Sequence, residues 1–214
     1  PQSLPSAACE LSTAGTAHCW GNGLNGAVGN GANTAAVTSP TPVSGALTFT
    51  QLATGVASHN CGLVGASAYC WGLNDAGQLG DGSSTNRNVP TLVSGGLAFA
   101  QIATGGHTTC GLTLTSALYC WGWSGTAGFG LGDDKRGRAF TLPVPVVTPV
   151  TFTKITLADD AVCGLTASGD LWCRGNGLWG WNLDGSTTVR TTFTKAVGGP
   201  WQDVSAGYLG ICAI

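Results

Sequence analysis

Paired cysteines are the residues in this sequence whose type and spacing suggest chemistry. Eight of the nine cysteines form four pairs, each separated by nine or ten residues, and Cys212 is left over. Cysteines form disulfides, bind zinc or act as nucleophiles. Structural zinc sites usually hold two cysteines two to four residues apart, and no Cys-x-x-Cys occurs here. We therefore expect disulfides and no metal.

Each cysteine pair predicts a β-hairpin. If Cys61 faces Cys70 on antiparallel strands, Gly62 faces Tyr69 and residues 65–66 form a two-residue turn, a length that hairpins favour. Directly opposed residues come close enough for a disulfide. Each bridge closes a loop of about ten residues, which corresponds to roughly 2.5 to 3 kcal/mol of chain entropy. We predict four bridges within hairpins: Cys9–Cys19, Cys61–Cys70, Cys110–Cys120 and Cys163–Cys173.

Other chemical motifs are weak. Residues 21–26 and 175–180 both fit G-x-G-x-x-G, but a dinucleotide site needs a helix to follow inside a βαβ unit. Neither segment predicts a helix, so turn glycines are the better interpretation. His18, His59 and His107 lie in or beside the cysteine strands, and we assign them structural hydrogen bonds rather than acid–base or metal roles. With no nucleophile elbow or HExxH motif, we expect no enzyme activity and no cofactor.

The hairpin recurs with a period near fifty residues. The first cysteines stand at positions 9, 61, 110, 163 and 212, so the steps are 52, 49, 53 and 49 residues. Periods of this length are typical of repeat architectures. We divide residues 1–214, a single domain, into repeats at about 9–60, 61–109, 110–162 and 163–211, with a fifth beginning at 212–214.

Each repeat holds the elements of a small sheet. Two glycines ten residues apart follow every hairpin, which suggests unusual backbone dihedrals. A strand around proline comes next, as in Ser39 to Val43. An aromatic-led strand then runs into the next cysteine: Phe49 to Thr54, Phe99 to Thr104, Phe152 to Leu157 and Trp201 to Ala206. Four strands per repeat are the content of a propeller blade. We predict an all-β fold, a β-propeller or propeller-like array of four four-stranded blades.

Two segments resemble a known repeat. Residues 99–112 with Tyr119-Cys-Trp-Gly122, and residues 69–82, resemble the repeat of the regulator of chromosome condensation family. The resemblance implies a propeller of four-stranded antiparallel blades, usually seven, with one blade often completed by both chain ends. The paired cysteines resemble those of secreted bacterial members. Activities in the family include nucleotide exchange on a small GTPase, chromatin contact, light sensing and β-lactamase inhibition.

The number of repeats leaves the closure of the ring open. Four repeats cannot make seven blades, so the chain is part of a longer protein, closes with four blades, or stays open and meets another chain. Residues 201–214 and 1–11 share one phase of the repeat, so the last strand is surplus to a closed four-unit ring. That strand, with Cys212, would insert into a neighbouring copy head to tail. The alternative is that sequence beyond Ile214 supplies the rest of the blade.

Composition narrows the class of partner. Eight basic residues face ten acidic ones, charged residues make up 8% of the chain, and no basic stripe is present to bind nucleic acid. No apolar run approaches the length of a membrane span. Regular cysteine pairs favour an oxidising compartment, so we predict a secreted, extracellular protein. The chain lacks methionine and begins at Pro1, so we expect that a signal peptide or longer N-terminal part has been removed.

Four aromatic residues lie outside the repeated pattern, in connectors where binding residues often occur. They are Trp123, Phe129, Trp179 and Trp181, and they are either partner-binding anchors or fillers of the seam between blades. Our first hypothesis is a non-enzymatic, extracellular structural or assembly protein acting through protein–protein contacts, including head-to-tail polymerisation of its own copies into a filament. The alternative is a soluble, secreted protein-binding propeller such as an enzyme inhibitor.

Overall fold

Short antiparallel strands form almost all of the regular structure. The computed structural model describes residues 7–55, 59–125, 137–177, 180–207 and 210–214. Apart from a single 3₁₀ turn at Leu24–Gly26, the regular elements of these residues are strands. The strands are β1 (Ala8–Leu11), β2 (Ala17–Gly21), β3 (Val37–Pro42), β4 (Gln51–Thr54), β5 (His59–Val64), β6 (Ser67–Gly72), β7 (Arg87–Leu92), β8 (Phe99–Thr104), β9 (Thr108–Thr113), β10 (Leu118–Trp123), β11 (Ala139–Val146), β12 (Lys154–Leu157), β13 (Ala161–Leu165), β14 (Leu171–Gly175), β15 (Arg190–Lys195), β16 (Val204–Ala206) and β17 (Ile211–Ala213).

These strands form blade-like sheets in chain order. Strands β4 to β7, β8 to β11 and β12 to β15 make three four-stranded antiparallel sheets, flanked by the three-stranded β1–β2–β3 and the two-stranded β16–β17. The predicted all-β, propeller-like fold is confirmed. Its sheets are offset from the cysteine repeat by one strand, because the aromatic-led strand that closes each repeat pairs with the next cysteine strand. The described strands therefore make three complete sheets and two partial ones, rather than four complete ones.

The predicted hairpin register is confirmed residue by residue. Cys61 faces Cys70 and Gly62 faces Tyr69 across β5 and β6, and the other hairpins follow the same rule. All four predicted disulfides are present, each with its Cα atoms 4.1 Å apart. This separation is close to that of directly opposed residues without a hydrogen bond between them. Cys212 is a free, exposed cysteine.

In three of the cysteine strands, a glycine leaves space for an aromatic ring that lies outside the hairpin. A Cβ added to Gly62 would lie 2.6 Å from the ring of Phe49, and one added to Gly111 would lie 2.4 Å from the ring of Phe99. The space is therefore filled by the aromatic residue that leads the first strand of the sheet, and not by Tyr69, which only pairs with Gly62 in register.

The paired connector glycines hold backbone shapes that other residues rarely adopt. Gly72 and Gly82 have φ angles of 101° and 86°. Gly72 lies at a shift of register between β6 and β7, where a bulge bends the strand.

The apolar core lies between the sheets. One cluster joins Cys61, Leu63 and Cys70 of the second sheet to Phe99 and Ile102 of the third. The other seams have the same composition, so each buried disulfide is part of the packing between two sheets.

Tryptophan side chains bind the second and third sheets to the connector of the sheet before each. Trp71 donates its indole N–H to the carbonyl oxygen of Ala27 at 3.1 Å, and Trp121 donates to that of Gln78 at 2.9 Å. A Cβ on Gly80 would lie 2.6 Å from Nε1 of Trp121, so only glycine leaves room for the ring.

Glutamine side chains join the innermost strands. Gln101 donates to the carbonyl oxygen of Ile155 at 2.9 Å and accepts from its N–H at 2.8 Å. Gln51 binds Ile102 in the same two-point way. At the equivalent position of the next sheet, Lys154 instead forms an ion pair with Asp203.

Candidate protein-binding site

A cavity opens on one end of the sheets, where two kinds of loop meet. In an antiparallel sheet, the turn between the first two strands and the connector between the last two lie at the same end. The cavity has a volume of about 340 Å³ and is lined by Asp75 and Ala76 of the β6–β7 connector, His107 of the β8–β9 turn and Trp123 at the end of β10. It therefore combines residues of two neighbouring sheets.

The backbone holds Trp123 firmly beside His107. The N–H of Trp123 donates to the carbonyl oxygen of His107 at 2.8 Å. The hydroxyl of Thr108 donates to the carbonyl oxygen of Trp123 at 2.6 Å. The side chain of Trp123 extends beyond this support, and the residue is 42% exposed. Trp123 thus lines the cavity from a backbone position that two hydrogen bonds fix, and part of the residue is accessible to solvent.

A buried glutamine orients the carboxylate of Asp75. Gln78 donates from Nε2 to Oδ1 of Asp75 at 3.0 Å, and its Oε1 accepts from the N–H of Ala76 at 2.8 Å. Nδ1 of His107 lies 3.3 Å from the same Oδ1 of Asp75. The carboxylate and the imidazole are about half exposed, so both can meet a ligand in the cavity.

A second histidine lies beneath the cavity and is neutral. His59 is buried, and its Nε2 lies 3.0 Å from Oγ1 of Thr109 in the neighbouring sheet. Burial is the main reason that the pKa of His59 is lowered from 6.5 to about 3, and repulsion by His107 adds to it. Asp75 and the backbone of Gly106 act in the opposite direction, more weakly. His59 therefore contributes no positive charge under the cavity at neutral pH.

A second carboxylate lies beside the turn that carries His107. The Oδ1 atom of Asp159 would be 1.9 Å from a Cβ on Gly106, so the turn and the carboxylate are in close contact. Burial raises the pKa of Asp159, and the attraction of His107 opposes this rise. His107 is thus close enough to interact electrostatically with both Asp75 and Asp159.

The predicted partner-binding residues fall into three groups. Trp123 is exposed at the cavity. Trp181 is 5% exposed and packs on Ala158 and Ala161, which matches the seam-filling alternative and leaves its ring out of reach of a partner in this arrangement. Phe129 and Trp179 lie outside the described residues.

Asp75 and His107 were not among the predicted site residues. A signal for them exists in the sequence, because both positions vary between repeats. Leu24 and Leu178 stand at the phase of Asp75, and Asp160 stands at the phase of His107. The repeated architecture therefore does not require either residue.

A second cavity of about 340 Å³ runs along the innermost strands. Its lining includes Gln101, Lys154 and Asp203, whose side chains already serve the contacts between sheets described above. The side chains that line this second cavity are therefore engaged in contacts between the sheets.

Two further features concern the described residues. They contain no group of three or more histidine, cysteine, aspartate or glutamate side chains arranged to hold a metal ion. Within the same ranges, no helix has the length and apolar character required to cross a membrane.

Sequence and structure comparisons define the class of this fold. Residues 67–112 match the family profile of the regulator of chromosome condensation (RCC1) repeat. This match spans a single repeat, and the other hairpins share its register. Residues 67–112 are thus similar to an RCC1 repeat, and the chain has an RCC1-like propeller fold. No curated protein sequence matches the chain.

Particular solved structures share the fold. Human WBSCR16 superposes with a TM-score of 0.86 at 20% identity over 98% of this chain and 55% of that protein. Prp20p from Saccharomyces cerevisiae superposes with a TM-score of 0.76 at 19% identity over 95% of this chain and 52% of that protein. Its structure was reported together with its binding properties to Gsp1p and histones. The ectodomain of the receptor kinase CR4 from Physcomitrella patens superposes with a TM-score of 0.50 at 25% identity, over 81% of this chain and 37% of the ectodomain chain. The chain spans about half the length of the first two proteins.

Proposed function

We propose that this chain is a non-enzymatic, extracellular repeat protein that binds other proteins through the cavity lined by Asp75, Ala76, His107 and Trp123. The observation that carries the proposal is the exposed indole of Trp123, held by its backbone beside an open cavity. Tryptophan is enriched among residues that dominate binding energy at protein interfaces. An exposed ring on a rigid strand end loses little entropy when a partner covers it.

The shape of the cavity favours a protein partner over a small substrate. A volume of about 340 Å³ lies at the lower limit of small-molecule pockets, and it is open enough that two of its side chains are about half exposed. Prp20p has a related fold and binds Gsp1p and histones. Protein binding by that relative supports a similar role here. The scattered basic residues argue against nucleic acid as the partner.

The disulfides support an extracellular location. Four bridges each link the two strands of one hairpin, and three of them lie between fully buried cysteines. Such bridges persist in oxidising compartments. The related fold in the CR4 ectodomain is consistent with a role outside the cell.

A capture experiment with matched variants tests the proposal. The purified 214-residue chain is immobilised and exposed to the extracellular proteins of its source, and bound proteins are quantified by mass spectrometry. Trp123→Ser removes the proposed anchor, and Leu114→Ser removes an apolar side chain that is 65% exposed on the β9–β10 turn. We expect specific partners to disappear with the first variant only. Equal capture by both variants would place the binding surface elsewhere.

Head-to-tail assembly is a second candidate, supported by the last sheet. Cys212 of β17 faces Ser205 of β16 and is exposed. In the complete sheets, the corresponding cysteine also faces a cysteine on the following strand, as Cys61 faces Cys70. A strand from a second copy would extend β17 by strand addition.

Sedimentation velocity and negative-stain microscopy of the oxidised chain test this assembly. We expect oligomers or filaments that grow with concentration, with Cys212→Ser removing any covalent link between copies. A wild-type chain that stays monomeric at all concentrations would exclude self-assembly while leaving the binding of other proteins intact.

A further inference from the structure

We propose that the cavity beside Trp123 receives a lysine or arginine side chain of the partner protein. This inference rests on the proposed protein-binding function and adds the chemistry of the contact. Three features support it: the size of the cavity, the charges around it and the aromatic wall.

The size of the cavity suits one long side chain. At about 340 Å³, it is at the lower limit of cavities that hold a complete small ligand. A lysine or arginine can lay its hydrocarbon chain along an apolar wall while the charged end reaches a polar one. Trp123 and Asp75, on different loops, provide these two walls.

The charges around the cavity are complementary to a cation. Asp75 lines it with a carboxylate that Gln78 holds in place. Asp159 does not line the cavity, but it adds a second carboxylate beside Gly106 in the turn that carries His107. The buried His59 below is neutral. No lysine or arginine lines the cavity among the residues that the structure describes. An anionic side chain would meet like charge, whereas a cationic one would be attracted to the partly exposed carboxylate of Asp75.

The aromatic wall adds a specific attraction for a cation. Tryptophan binds lysine ammonium and arginine guanidinium groups over its ring face better than the other aromatic residues do. The equivalent residues in the other repeats are Asn22, Leu73 and Asn176, so the position does not need an aromatic residue for folding. An indole beside a fixed carboxylate is a suitable receptor for one basic side chain.

Capped pentapeptides test this specificity without knowledge of the partner. The probes are acetyl-Gly-Gly-X-Gly-Gly-amide with X as arginine, lysine, glutamine or glutamate. Binding to the complete chain is followed through the indole N–H signal of Trp123 in a ¹⁵N–¹H correlation spectrum. The signal is assigned by its disappearance in Trp123→Leu. We expect the arginine and lysine peptides to shift it with saturation, and the glutamine and glutamate peptides to leave it unchanged.

Two variants identify the contributions of the walls. A cation–π contact at an exposed site and a partly exposed ion pair each correspond to about a two- to fivefold change in affinity. We therefore expect Asp75→Asn and Trp123→Leu each to weaken arginine-peptide binding by that factor. Binding to Asp75→Asn is followed through the indole N–H of Trp123. Binding to Trp123→Leu is followed through the backbone amide of Thr108. Glu10→Gln removes the same charge from an exposed position on β1 and should leave binding unchanged.

The possible outcomes separate this inference from the proposed function. Equal binding of the four peptides, or an unchanged affinity in Asp75→Asn, would overturn the basic-side-chain contact. Capture of a partner that depends on Trp123 would still support protein binding at this surface. Conversely, arginine-selective binding without any captured partner would support the contact and contradict the wider function.

Discussion

The buried histidine beneath the cavity predicts a specific loss of stability in mild acid. The Oγ1 of Thr109 donates to the carbonyl oxygen of Gln78 at 2.8 Å, so it is available to accept the Nε2–H of His59 at 3.0 Å. The imidazole therefore donates from Nε2, and this hydrogen bond joins β5 to β9 of the next sheet. Protonating the ring in the folded state is unfavourable because it is buried.

The size and the sign of the effect follow from the lowered pKa. An unfolded chain protonates His59 near pH 6.5, whereas the folded chain does so near pH 3. The unfolded state therefore binds more protons between these values, and stability falls as the pH is lowered through this window. The expected loss is about 1 kcal/mol at pH 5.5 and about 3 kcal/mol at pH 4.5, relative to neutral pH.

Chemical unfolding of the oxidised chain at pH 7.5, 5.5 and 4.5 measures this loss, with His59→Gln as the comparison. Glutamine at this position has an amide that can donate to Thr109 but no group that protonates. The variant should be less stable at neutral pH, and it should lose less stability than wild type as the pH is lowered. Burial acts to raise the pKa of Asp81, but hydrogen bonds from Ser83 and Arg87 outweigh it and lower the pKa. The stabilisation from Asp81 is therefore lost mainly below about pH 3.8, and equally in wild type and variant. Parallel pH profiles of wild type and variant would refute the reasoning.

Two further predictions concern the packing between and within sheets. Gly111→Ala places a Cβ 2.4 Å from the ring of Phe99, so it should reduce the free energy of unfolding by about 1 to 3 kcal/mol. Gly207→Ala meets no atom within 4 Å, and a comparable loss there would show that the cause is not the ring. Gln101→Glu removes the donor to the next sheet and should cost about 1 to 3 kcal/mol in urea unfolding. The exposed Gln202→Glu is its matched control, and equal effects would contradict the two-point contact.

The sequence predicts contacts within a hairpin far better than contacts across sheets. Residues that face each other on antiparallel strands have a constant index sum, so a single pair such as Cys61 and Cys70 determines the rest of the register. The aromatic ring that covers Gly62 cannot be predicted in this way. The index sum pairs Gly62 with Tyr69, but the ring that contacts Gly62 belongs to Phe49, outside the hairpin. No local pattern distinguishes these two aromatic residues.

The candidate site was predictable only in part for a related reason. Trp123 interrupts the repeat and is therefore conspicuous in the sequence. Trp181 is equally conspicuous but is buried in a seam, since the pattern does not indicate which side of a connector faces solvent. Asp75 and His107 are 32 residues apart and meet because two sheets lie side by side. Their proximity is a property of the packing between sheets.

Repeated and unrepeated positions of the sequence have different roles, and this difference explains where a binding site can arise in this fold. Trp71 and Trp121 recur at one phase, and each is used to bind the preceding sheet. Gln51 and Gln101 recur at another phase, and each is used to bind the next sheet. A change at such a phase needs a replacement contact across the seam, as the ion pair of Lys154 with Asp203 shows. Trp123 lies at a phase where the repeats differ, so selection for a partner can act on it with little cost to folding. Stability and recognition are therefore carried by different residues of the same repeat.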